Sequence, residues 1–283
     1  MVPHPHIRED RTVSEISSAD AWTALPPTAE SLEKILKRLR APDGCPWDRE
    51  QTLSTLSDSL AGETAELLDA VGEKDPAGMA EELGDVLMNV IFMAVAAEEQ
   101  GLFSFREVVS GINDKMIRRH RHVFGDARCE NAEEVKQLWE RIKSGEASHR
   151  DRHSVLDGIP ASLSGLAAAE KIQKKVSKYG FDWPDAAGVA AKVTEEAEEV
   201  RAAMAAGDDE ACDEELGDLL FAAVNLIRFR KRASAEEIMR AANRKFVRRF
   251  KAVEEMLERE HIALAEAGTE KLEELWREVK THE

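Results

Sequence analysis

The run Glu214-Glu215-Leu216-Gly217-Asp218-Leu219-Leu220-Phe221-Ala222-Ala223-Val224-Asn225-Leu226-Ile227 sets the fold class. On a helix, at roughly 100° per residue, Asp218, Ala222 and Asn225 form one stripe with Glu215 at its edge. Leu216, Leu219, Leu220, Phe221, Val224, Leu226 and Ile227 point in nearly every other direction. A helix apolar nearly all round is expected to be buried. A carboxylate buried with it has to be paired, metal-bound or protonated, because desolvating a lone charge is very costly.

The same pattern occurs earlier in the chain as Glu81-Glu82-Leu83-Gly84-Asp85. In both places a second acidic group precedes it: Glu63-Thr64-Ala65-Glu66 in the first and Glu195-Glu196-Ala197-Glu198-Glu199 in the second. Glu63 and Glu196, Glu66 and Glu199, Glu82 and Glu215, and Asp85 and Asp218 are each 133 residues apart. Downstream, Ser104-x-x-Glu107 matches Ser234-x-x-Glu237, and Lys115, Arg118 and Arg119 match Lys245, Arg248 and Arg249, all at 130. Both Ser/Glu pairs read as capping boxes. Trp139 and Lys143 match Trp276 and Lys280 at 137, and Trp47-Asp48 sits in a Gly/Pro loop much as Trp183-Pro184-Asp185 does. The offset changes fall in turns, where insertions cost least. The chain therefore reads as an internal duplication.

The pattern predicts an all-α fold of two tandem units, each an antiparallel helix bundle joined by short connections. The units are placed at 21–146 and 163–283, with a linker over 147–162 and a disordered tail over 1–20. Helices are expected over Asp58–Val71, Pro76–Gln100, Ser104–Phe124 and Asn131–Ser144 in the first unit. In the second they are expected over Leu163–Lys178, Ala186–Ala206, Asp208–Lys231, Ser234–Glu260 and Thr269–Thr281.

Composition agrees. Of the 283 residues, 43% are hydrophobic and 34% charged, with a single Tyr, a mix that favours helix over sheet. A net charge of -17 argues against a nucleic-acid polymer as partner, since such binding neutralises phosphates with Lys and Arg. Cys45, Cys129 and Cys212 are odd in number and far apart, which fits a reducing cytoplasm rather than a disulfide framework. The N-terminus lacks a signal-peptide apolar stretch. The most apolar run, Val86–Ala97, is too short to span a bilayer, so no membrane partner is expected.

Glu196 and Glu199 share one helix face, and Glu215 and Asp218 share another. An isolated Glu pair in so acidic a chain is a solvated face; a two-part pattern repeated at fixed spacing in an apolar helix is not. Carboxylates converging between antiparallel helices repel one another, and a divalent cation removes the conflict. All-oxygen ligands suit Mg2+, with Mn2+ as a substitute. Lys245 and Arg249, four apart on one helix face, suit phosphate oxygens. Lys192, one turn before Glu196, is a further phosphate candidate, and Asn225 lies on the Asp218 stripe. Trp276 either belongs to the core or covers a nucleotide while Lys280, four residues on, meets a phosphate. The Phe181-Asp182-Trp183 loop either packs or flanks a base.

Together these motifs resemble the MazG family of the all-α NTP pyrophosphatase superfamily. The resemblance rests on E-E-x-x-E followed by E-L-G-D, on Asn243-x-Lys245-Phe246-x-Arg248-Arg249-Phe250, and on Lys171-Ile172-Gln173 with Gly180-Phe181-Asp182-Trp183. The terminal Trp276-x-x-x-Lys280 completes it, together with Gly44-Cys45-Pro46-Trp47-Asp48 and Arg119-His120-x-His122-Val123-Phe124 in the first half. It implies a homodimeric nucleoside triphosphate pyrophosphohydrolase that releases pyrophosphate by attack at the α-phosphorus. Glu196, Glu199, Glu215 and Asp218 would hold magnesium, and Lys245, Arg249, Trp276 and Lys280 would surround the nucleotide. In this reading the cation polarises the α-phosphate and lowers the pKa of a bound water. Lys245 and Arg249 neutralise the departing pyrophosphate, and Glu195 orients or deprotonates the water. A dimer is also expected because Val86–Ala97 and Leu219–Ile227 need cover on all sides.

The first copy keeps Glu63, Glu66, Glu82 and Asp85, a possible weaker metal site. It has Gly62 where the second has Glu195, and Phe92 where the second has Asn225, although Asn89 lies one turn earlier. The copies are therefore expected to be unequal. Two rivals are a narrower enzyme acting on dUTP or phosphoribosyl-ATP, and a non-enzymatic helical module with solvated acidic faces. A di-iron bundle needs E-x-x-H on the core helices, and neither E-L-G-D helix offers a His.

Overall fold

A computed structural model describes residues 22–146 and 153–282. The expected tail at 1–20 lies outside them, as do residues 147–152 of the expected linker. Every regular element among the described residues is helical. The chain divides after Glu146 into two compact units. No described helix is long and apolar enough to cross a membrane.

The first unit contains α1 (Ala29–Leu39), α2 (Pro46–Glu50), α3 (Leu53–Glu73), α4 (Pro76–Glu99), α5 (Phe105–Arg119), α6 (Arg121–Phe124) and α7 (Ala132–Ser144). Helix α1 was not among the expected elements. Its local signal is Thr28, whose side chain accepts from the Ser31 amide, ahead of Leu32, Ile35, Leu36 and Leu39. Helix α3 starts five residues earlier than expected because Thr52 and Thr55 form a reciprocal capping pair. The Ser104/Glu107 box forms as predicted. The helix it opens stops at Arg119 rather than Phe124, because His120 leaves helical geometry, with its ring Nδ1 2.7 Å from the Met116 carbonyl oxygen. Ile91, Phe92, Ala94, Val95 and Ala96 of α4 form the core with Leu36 of α1, Leu56 of α3 and Phe105 of α5.

The second unit contains α8 (Gly165–Ser177), α9 (Ala186–Ala206), α10 (Asp209–Arg230), α11 (Ala235–Arg259) and α12 (Gly268–Thr281). At the start of α11, Ser234 accepts from the Glu237 amide, and the neighbouring amide of Ala235 donates to Glu170 Oε2 at 2.9 Å. Burial works against the Glu170 charge. Lys174 at 2.5 Å and the Ala235 amide together still hold its carboxyl below the usual range. This buried carboxylate ties α8 to α11. Val253, Leu257 and Leu275 form a core cluster between α11 and α12.

The α3–α4 and α9–α10 hairpins turn in the same register. Lys74 and Gly207 each take the left-handed conformation, at φ 60° and 71°. Asp75 and Asp208 then cap the following helix, accepting from the Ala77 and Ala211 amides. Lys at such a position costs about 1 kcal/mol relative to Gly. This shared turn sets Glu63 and Glu66 against Glu82, and Glu196 against Glu215.

One expectation is corrected. Helix α10 is not buried on all sides within this chain: Leu216, Leu220 and Phe221 are exposed, and so is Asp218. Its apolar surface exceeds what α8 and α9 can cover.

Candidate functional site

Carboxylate oxygens of Glu196, on α9, and of Glu215 and Asp218, on α10, lie within 4.8 Å of one another. Glu196 is only 3% exposed. Lys192, one turn before it, reaches Glu196 at 2.5 Å and Glu195 at 2.9 Å. That ammonium holds the Glu196 carboxyl below the usual range and is itself pushed up. Glu199 is pushed up chiefly by sharing a proton with Glu196. Glu215 is pushed up by burial and by the charges of Glu196 and Asp218. Among the described residues, the buried Oε2 of Glu196 accepts no hydrogen bond. A crowded, mutually repelling set of hard oxygen donors with one left over fits a divalent cation.

Glu196 and Asp218 also line a cavity of about 640 Å³, together with Gln173, Phe181, Asp182, Trp183, Lys192, Phe221, Asn225 and Arg228. Gly180, at φ 84°, turns the chain from α8 into the Phe181–Trp183 loop. Gly188 lets the Trp183 ring lie against α9, where any Cβ would stand 2.8 Å from the ring. Arg228 locks the loop to α10. Its guanidinium pairs with Asp182 and also donates to Asn225 Oδ1 at 2.9 and 2.7 Å.

Of the predicted site residues, the structure brings Lys192, Glu195, Glu196, Glu199, Glu215, Asp218 and Asn225 to this one place. Lys245, Arg249, Trp276 and Lys280 do not line the cavity. They stand on α11 and α12, where the Arg249 guanidinium is 6.0 Å and the Phe246 ring 5.0 Å from the Trp276 ring centre. Trp276 also packs against the Val253–Leu257–Leu275 cluster, so its core role is visible. Sequence reasoning missed Gln173 and Arg228 as site residues. The available signals were an amide on an apolar-patterned helix and an Arg one turn beyond Asn225.

The first unit repeats part of this. Oxygens of Glu63, Glu66 and Glu82 lie within 4.8 Å, and burial together with Glu66, Glu63 and Asp85 pushes Glu82 up. Arg119 lies 5.2 Å from the Trp139 ring centre, as Arg249 lies over Trp276. Arg118 and Arg119, however, both hold Glu146, at 2.8 and 2.5 Å, and pull its carboxyl down to about 2. Phe92 and Val95, which correspond at the 133 offset to Asn225 and Arg228, are buried in the core. Asn89 is also buried and spends its amide on the Asp85 carbonyl at 3.0 Å.

A family model described as the MazG nucleotide pyrophosphohydrolase domain matches residues 51–124 and 186–254, one stretch in each unit. The chain is 44% identical over 257 residues to the nucleoside triphosphate pyrophosphohydrolase of Escherichia coli (strain K12), covering 90% of this chain and 97% of that one. It is 43% identical over 251 residues to the nucleoside triphosphate pyrophosphohydrolase/pyrophosphatase MazG of Thermotoga maritima, covering 89% and 95%. A solved mazG-related protein from Thermotoga maritima matches 41% of this chain and 98% of its own, at 27% identity and a TM-score of 0.37.

Proposed function

Because the chain belongs to the MazG nucleotide pyrophosphohydrolase family, we infer that it hydrolyses nucleoside triphosphates to nucleoside monophosphate and pyrophosphate. The observation that carries this to particular residues is the carboxylate cluster of Glu196, Glu215 and Asp218, two of which line a cavity large enough for a nucleotide. Glu196, Glu199, Glu215 and Asp218 would hold magnesium, with manganese as a substitute. Bound there, the cation would polarise the α-phosphate and acidify a water. Glu195, beside the cluster and tethered by Lys192, orients that water. Lys192 faces the substrate phosphates from the cavity wall. Lys245 and Arg249 receive the pyrophosphate, with Trp276 positioning Arg249 and Lys280 one turn further along α12.

Product analysis tests this reading. Incubation with each of the canonical ribo- and deoxyribonucleoside triphosphates, with and without magnesium, is expected to give monophosphate and pyrophosphate from several of them, only with the metal. Diphosphate and orthophosphate would place the attack at a different phosphorus. Turnover of dUTP or phosphoribosyl-ATP alone would favour a narrower enzyme.

We also propose a homodimer in the cytoplasm, acting on free nucleotides rather than on nucleic-acid polymers. Leu216, Leu220 and Phe221 on α10, and Leu83, Leu87 and Val90 on α4, are exposed in the single chain. Exposed apolar residues clustered on a helix face mark an interface. Three free cysteines and a net charge of -17 support the rest. Light scattering at micromolar concentration is expected to give a mass near twice 31.5 kDa; a particle of the single-chain mass refutes the dimer.

A further inference from the structure

Gln173 is 4% exposed, and its side chain lines the cavity. Its Nε2 donates to the Phe221 carbonyl oxygen at 2.8 Å, which fixes the amide's orientation. Its Oε1 is buried and, among the described residues, accepts no hydrogen bond. A buried acceptor left without a donor costs more than a bond to it returns in water, so it needs a partner from outside the chain. On the same cavity, Asn225 has its Oδ1 occupied by Arg228. The atom it has left to offer is therefore its Nδ2 donor.

We propose that Gln173 Oε1 and Asn225 Nδ2 form an acceptor–donor pair that reads the hydrogen-bonding edge of the nucleobase. The proposal rests on the nucleotide-hydrolysing function inferred above. Asp218 and Asn225 lie two turns apart on α10, about 10 Å along its axis. That matches the span of a nucleotide from its α-phosphorus to the far edge of its base. Ile172, Val176, Phe181, Trp183 and Phe221 give the cavity the apolar and aromatic walls a flat base requires. Gln173 and the Phe181–Trp183 loop lie outside both segments matched by the family model, whereas Asn225 lies within the second.

Adenine and cytosine each present an amine beside a ring nitrogen acceptor; guanine and uracil present a ring N–H beside a carbonyl. In adenine and cytosine the exocyclic group donates and the ring nitrogen accepts; in guanine and uracil the two roles are exchanged, so a pair fixed in one orientation favours adenine and cytosine and is intolerant of a base lacking the donor. Adenine's exocyclic amine is the donor in its pairing edge, so in ATP it has to meet Gln173.

The test compares ATP with purine riboside 5′-triphosphate, which lacks that amine, in the full-length enzyme with magnesium. Wild type is expected to favour ATP about tenfold in kcat/KM, mostly through KM, the scale of one neutral hydrogen bond formed with a buried group. Gln173→Met, similar in length but without the acceptor, should bring the ratio close to one. Gln173→Asn retains a polar amide but draws it back by one methylene; it should have the same effect and serves if the Met variant does not fold. A wild-type ratio near one, or a ratio unchanged in a folded variant, overturns the proposal. Failure of wild type to release pyrophosphate from ATP would instead count against the function itself.

Discussion

Glu196→Gln or Asp218→Asn is expected to lower pyrophosphate release by about a hundredfold or more, the scale on which losing one group that stabilises transition-state charge acts. Glu63→Gln should leave most of the activity. Each carboxylate cluster brings three residues within 4.8 Å, Asp218 among them in the second and its counterpart Asp85 not in the first, but the presence of a cluster alone does not separate the two copies. Their surroundings do. Beside Glu196 lies a cavity bearing Asn225, Arg228 and Gln173. The corresponding α4 positions carry Phe92 and Val95, buried against Leu36 and Ile91. Arg118 and Arg119, which correspond to Arg248 and Arg249, are engaged by Glu146. Gly62 supplies no carboxylate where Glu195 stands, and a Cβ at Gly62 would meet nothing within 4 Å, so packing does not require glycine there. Paired rates on folded, dimeric proteins decide the matter. An equal loss in Glu63→Gln and Glu196→Gln means that both copies turn over substrate.

Chelation of divalent ions is expected to abolish turnover, and magnesium added back should restore it and raise the melting temperature. A ligand bound only by the folded state at a hundred times its Kd stabilises by about 2.7 kcal/mol. For chains of 150–250 residues each kcal/mol is worth roughly 2–4 °C, so a shift of several degrees is anticipated. Glu196→Gln should lose most of this shift, because it removes the buried carboxylate at the centre of the cluster. The effect should also weaken as pH falls. Glu199 and Glu215 bind protons more readily than ordinary carboxylates, and a protonated carboxyl does not ligate. A melting temperature indifferent to magnesium, alongside rates indifferent to chelator, would remove the metal from the mechanism and favour the helical interaction module.

What could be read from the sequence was set by local chemistry. The caps at Ser104, Ser234, Asp75 and Asp208 each involve partners within three residues, so helix starts were legible. Helix α1 lies outside the expected elements although Thr28 and its apolar spacing announce it, and α5 ends earlier than its flanking residues predict because His120 breaks the helix. The acidic pairs were legible because two helices joined by a tight turn must bring residues at matching distances from that turn together.

The sequence by itself determined an all-α chain with two related units and the carboxylates that meet in each, since period, capping and duplication are written in residue order. Only the tertiary structure showed the cavity beside Glu196 and Asp218. It depends on Asn225 and Arg228 leaving polar groups where Phe92 and Val95 fill the interior of the first unit, and on contacts far apart in the chain, such as Arg228 to Asp182 and Gln173 to the Phe221 carbonyl. The exposure of α10 was likewise beyond sequence, because an apolar pattern records that a face needs cover without recording whether its own chain supplies it.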